Sequence, residues 1–268
     1  MEVLGYIVAV LIGISLGLIG SGGSILTVPV LVYLFKVEPV LATTYSLCIV
    51  GLSSIAGVIS KIRQKLLVTK VILVFGIPSM LGVIFSRKFI LPSIPKEFHL
   101  WNGYMMSKNN FVMLFFAVLM LAAALSIILG KKNKSENENI APHFGLLLGL
   151  AGLAEGTVTG IVGAGGGFLI IPALVLLARL PMKNAIASSL FIITVKSLIG
   201  FAGDLTHTTI DFKLLISIVV LATGGILIGN YLNNKMDGTK LKKGFGWFVL
   251  IMSIIIFIEQ IASALGKV

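Results

Sequence analysis

Lys196 and Glu155 are the side chains best placed to do chemistry, because each lies deep in an apolar run, at 184–203 and 143–162 respectively. An ionisable group at that depth costs at least ~2–3 kcal/mol unless it faces protein or water. Two readings fit. In one, Lys196 contacts an anionic ligand and Glu155 carries a coupling proton; in the other, the two neutralise each other as a structural pair.

A second signal is made of backbone. The runs Gly20-Ser21-Gly22-Gly23-Ser24 and Gly163-Ala164-Gly165-Gly166-Gly167 interrupt apolar segments, and each is followed by a short apolar stretch. Glycine permits the positive φ angles of a tight reversal, and broken backbone at membrane depth survives only where protein or a polar cavity surrounds it. A helix restarting at such a break aims N–H groups and the positive end of its dipole at one point, which suits an anion. Close helix packing through glycine is the alternative, and it accounts well for Gly13 and Gly17. Behind the breaks, Ser46 and Ser189 occupy matching positions, where each hydroxyl can serve a ligand or bond its own helix backbone.

Other chemistries lack their residues. Cys48 is the single cysteine, so a disulfide or cysteine metal cluster within one chain is excluded. His99, His143 and His207 are too scattered in sequence to suggest a metal centre, Asp204 and His207 read as solvated residues at a helix end, and no cofactor is expected. No nucleophile triad or phosphate loop is present, which leaves a membrane-embedded enzyme as a weak rival and a structural subunit as another.

The elements that position these residues are membrane helices. Of 268 residues, 57% are hydrophobic and 12% charged, and the mean hydropathy is +1.08, far from the balance of a soluble domain. Apolar segments at 4–20, 24–35, 40–60, 70–91, 111–130, 143–162, 167–178, 184–203, 213–232 and 245–265 leave no room for a soluble domain. The net charge of +11 gathers in short connections around Lys61–Lys70, Lys131–Lys134 and Lys235–Lys243, the pattern of cytoplasmic loops rather than of a nucleic-acid surface. Glu2 and the absence of a basic leader mark the first apolar run as a retained membrane segment.

The chain also matches itself. A shift of 143 residues lays Gly13, Gly17, Gly20, Gly22, Gly23 and Pro29 on Gly156, Gly160, Gly163, Gly165, Gly166 and Pro172, and continues without a gap to Gly57 on Gly200. Repeat-built transporters carry this kind of internal similarity. Ile12 and Ser53 stand opposite Glu155 and Lys196, so charge chemistry belongs to one half. The resulting expectation is an all-α integral membrane protein of two inverted repeats, 1–130 and 143–268, joined by a polar cytoplasmic linker at 131–142. Each repeat is a glycine-broken hairpin plus three transmembrane helices; loop 204–211 and a longer loop at 87–109 lie outside.

The paired breaks, each with its short proline-bearing helix and the Ala and Ser-Leu positions that follow, resemble the TauE/SafE family of sulfite and sulfonate exporters, also called the toluene sulfonate uptake permease group. That resemblance implies a cell-membrane secondary carrier for sulfite, sulfonates or related sulfur-containing organic anions, in either direction of transport. The substrate-binding set expected here is Gly20, Ser21, Gly22, Gly23, Ser24, Ser46, Gly163, Ala164, Gly165, Gly166, Gly167, Ser189 and Lys196. Glu155 is the coupling residue, and a homodimer is left open.

Overall fold

The structure is a computed structural model that describes residues 2–19, 24–95, 97–99, 105–129, 144–205, 210–233 and 238–264. Gly20, Ser21, Gly22 and Gly23, the 131–142 linker, and His143 and His207 lie outside the described residues.

The described chain is almost entirely helical. In order, it forms α1 (Glu2–Ile19), α2 (Thr27–Tyr33), α3 (Pro39–Arg63), α4 (Thr69–Ser93), strands β1 (Glu97–His99) and β2 (Met105–Ser107), α5 (Lys108–Leu129), α6 (Phe144–Val162), α7 (Gly167–Leu176), α8 (Met182–Asp204), α9 (Phe212–Asn233) and α10 (Gly238–Ala264). The two strands pair antiparallel, with Glu97 opposite Ser107. Among the described residues, six helices are long and apolar enough to cross a membrane: α3, α4, α5, α6, α8 and α9. Helices α2 and α7 are too short to span.

Polarity is arranged for lipid. Leu81, Leu146, Leu150, Ile216, Val220 and Ile251 are exposed, whereas Thr43, Ser46, Ser53, Ser79, Thr159, Ser188 and Ser197 are buried. A soluble protein could not leave so much apolar surface uncovered, but a bilayer covers it and pushes polar groups inward. Helices α3 and α8 are the most enclosed of the six and pack on each other. The class expected from composition, an all-α membrane protein, is what the chain forms.

Glycines set the closest helix contacts. At Gly13 an added Cβ would run into the backbone of Ala222, and at Gly156 into the backbone of Ser79. Gly17 similarly faces Ile226 and Gly229, while Gly160 faces Val83 and Ser86. Each partner in these pairs is again displaced by 143 residues, so α1 meets α9 as α6 meets α4. Only hydrogen-sized side chains let the backbones approach this far.

Helix α4 departs from the expected loop at 87–109. It continues to Ser93, Arg87 is buried, and Lys88 alone of that pair is exposed. Two π-helical turns, Ile72–Gly76 and Ser86–Ile90, precede Pro78 and Pro92. Proline offers no N–H to the helical ladder, and a widened turn ahead of it lets the helix carry on. The apolar run therefore does not end where its first charged residues appear.

Candidate functional site

The second break is set by three glycines with positive φ. Gly163, Gly165 and Gly166 have φ of +68°, +66° and +76°, a region that side-chain-bearing residues enter only at a cost. Gly166 is the N-cap of α7, and its carbonyl accepts from the Leu169 and Ile170 amides at 2.9 and 3.1 Å. Gly165 packs against Ile193 and Val50, and Ala164 is buried. Thus α6 ends at Val162 and α7 starts afresh at Gly167, inside the bundle.

Beside that tip lies the pair anticipated from depth alone. Lys196 Nζ, on α8, donates to Glu155 Oε1 at 2.5 Å and to Thr159 Oγ1 at 3.2 Å. Ser79 of α4 donates to the other carboxylate oxygen at 2.7 Å, and the Thr159 hydroxyl reaches the Glu155 carbonyl at 2.8 Å. Side-chain exposure is 0% for Lys196 and 5% for Glu155, so the protein itself must supply the partners that water cannot. An added Cβ on Gly166 would strike Glu155 Oε1 and lie 2.6 Å from Lys196 Nζ. The carboxylate therefore sits at the start of α7, where the helix dipole favours negative charge.

A second ion pair was not anticipated. Arg87 Nη1, in the second π-turn of α4, donates to Asp204 Oδ2 at 2.6 Å, and the Thr44 hydroxyl donates to the same oxygen at 2.6 Å. Asp204 is thus a bonded, partly buried helix-end residue rather than a solvated one. Gly163 lies against Thr43 and within reach of this arginine: a Cβ there would be 2.6 Å from Arg87 Nη2. The break consequently spans two ion pairs, with Gly163 at one and Gly166 at the other. Arg87 stands only four residues before the end of the 70–91 apolar run, and Asp204 one residue after 184–203; those edge positions were the available signal.

The remaining expected residues are placed unevenly. Ser189 donates to the Ile186 carbonyl at 3.0 Å, whereas the buried Ser46 hydroxyl has no partner among the described residues. Ser24 is buried at the short helical turn that leads into α2, and Gly167 is the buried first residue of α7. At the equivalent site, Ile12 and Leu16 of the first half and Ala222 of the second occupy the positions matching Glu155, Thr159 and Ser79, and all are buried. Apolar packing there replaces the polar cluster. Among the described residues no group of three or more His, Cys, Asp and Glu side chains is arranged to hold a metal.

A multi-pass helical bundle with apolar flanks and ion pairs buried around a broken helix defines the class: an all-α membrane protein. The chain belongs to the sulfite exporter TauE/SafE family, whose family model matches residues 5–256. It is 28% identical over 258 residues to a probable membrane transporter protein of Xylella fastidiosa, covering 94% of each chain. It is also 26% identical over 287 residues to YunE of Bacillus subtilis, covering 94% of this chain and 95% of that relative. A probable membrane transporter protein of Methanocaldococcus jannaschii is 27% identical over 216 residues, with 76% and 72% covered. No solved structure matches the chain. The family and these relatives make it a membrane transporter rather than an enzyme, and its six long apolar helices make it a multi-pass protein of the cell membrane.

Proposed function

We propose that this protein is a secondary transporter of small anions, with sulfite, sulfonates or related sulfur-containing organic anions as substrates. Its repeats are inverted, and it works by alternating access around the glycine breaks. The observation that carries the reading is the Glu155 carboxylate held at the start of α7 by Lys196 and Ser79. This is an anion position already occupied by the protein's own anion.

Occupancy suggests the coupling. A proton on Glu155 removes its charge and weakens its hold on Lys196 and on the helix start, which a substrate oxyanion can then take. Loss of that proton expels the substrate by competition for the same donors. The exchanged contacts, α1 on α9 and α6 on α4, support a two-fold relation between the halves.

Purified protein in detergent, screened by thermal shift against sulfite, sulfate, thiosulfate and methanesulfonate, should be stabilised by at least one of them. In proteoliposomes, flux of that anion should acidify or alkalinise the lumen as a proton moves with it. Glu155→Gln should keep anion binding and lose the linked proton movement. If no oxyanion shifts the unfolding midpoint and none is transported, the reading fails.

A further inference from the structure

Buried polar groups in folded proteins are almost always bonded, and the rare exceptions ask for an explanation. Arg87 is such an exception. Its side chain is 3% exposed, Nη1 is engaged by Asp204 and Thr44, and both Nε and Nη2 have no partner among the described residues. Those two nitrogens form one edge of the planar guanidinium, with parallel N–H bonds spaced to meet two oxygens of one ligand. Leaving charged donors unbonded is costly.

The neighbourhood of this edge has other unusual features. Gly163 puts bare backbone beside Nη2, where any Cβ would intrude. Asp204 fixes the guanidinium from the opposite side, and a π-helical turn, a feature often found at functional sites, carries the residue. Ser86, its neighbour in that turn, faces Gly160 with a second buried and unpartnered hydroxyl. The position matching Arg87 in the second half is Asn230, whose amide oxygen and nitrogen are likewise buried without partners, so each half keeps unspent hydrogen-bonding capacity at this point.

We infer that Arg87 is a substrate-binding residue whose Nε–Nη2 edge receives two oxygens of the transported anion's head group against the second break, with Asp204 as its positioning residue. The inference rests on the anion-transport reading above and refines it. A two-oxygen edge selects oxyanions over halides of equal charge, which a lone ammonium such as Lys196 would not do as sharply.

The chain has three arginines, Arg63, Arg87 and Arg179, so its Nε–H signals can be assigned by single replacements of the two others. In wild-type protein carrying 15Nε-arginine, titration with methanesulfonate or sulfite should move the Arg87 Nε–H resonance with the same saturation curve as the thermal shift, and chloride should not move it. Arg87→Lys, which keeps the charge opposite Asp204, should weaken oxyanion binding by about tenfold or more and narrow the preference over chloride. If the lysine variant does not fold, the wild-type titration still decides. An oxyanion that binds while the Arg87 signal stays still overturns the assignment and leaves Arg87–Asp204 a structural pair. Absence of oxyanion binding in wild type overturns the transport reading itself.

Discussion

Lys196 and Glu155 illustrate how depth in an apolar segment identifies a residue without assigning its role. Their bond is compatible with a static counter-charge and with a switch, and removing the members separately and together distinguishes the two. Lys196→Met leaves a carboxylate buried beside Ser79 and should destabilise the fold by about 3–5 kcal/mol, the usual consequence of breaking a buried pair. Adding Glu155→Gln should recover most of that loss. Measured by thermal unfolding in a fixed detergent, recovery of stability is expected in either case; recovery of proton-linked transport as well would reduce the pair to a structural device.

At the scale of the element, the second break is the informative piece. Its glycines are not interchangeable with those that merely let helices approach. Gly166→Ala would combine an unfavourable left-handed backbone, about 1–2 kcal/mol for a non-glycine residue, with a methyl driven into Glu155 and Lys196. Anion binding should therefore collapse in protein that is still inserted and monodisperse. Gly13→Ala is a poor control, because its methyl meets the Ala222 backbone. Gly145→Ala is a good one: nothing lies within 4 Å of the added atom. Equal binding by folded Gly166→Ala and Gly145→Ala proteins would remove the break from the site.

For the whole molecule the proposed inverted repeats predict an orientation in the membrane. Inverted repeats place loops 61–70, 131–142, 179–183 and 233–243 on the cytoplasmic side, consistent with their basic residues. They also place 204–211 outside. The continuation of α4 through Ser93 shortens the 87–109 loop that this arrangement would put outside and takes buried Arg87 out of its charge. In a Cys48→Ser background, Gln64→Cys, Ser135→Cys and Asp237→Cys should resist an impermeant thiol reagent applied to intact cells, while Thr208→Cys should react. Labelling of Gln64→Cys and Asp237→Cys from opposite sides would rule out the inverted arrangement.

Composition and periodicity were sufficient for the membrane class, because lipid imposes long apolar runs that short-range sequence displays directly. The glycine run exposed the second break for a similar reason: glycine is the residue that positive φ demands, so Gly163, Gly165 and Gly166 had to be written into the chain. Burial depth likewise flagged Lys196 and Glu155 before any contact was known. Tertiary structure alone decided what those residues touch. Ser79 and Thr159 look like ordinary helix residues until α4, α6 and α8 converge on one carboxylate. Arg87 looked like the start of a loop because a charge at the edge of an apolar run normally marks water. Its partner Asp204 is 117 residues away, and only the packing of α4 against α6 and α8 brings that charge inside.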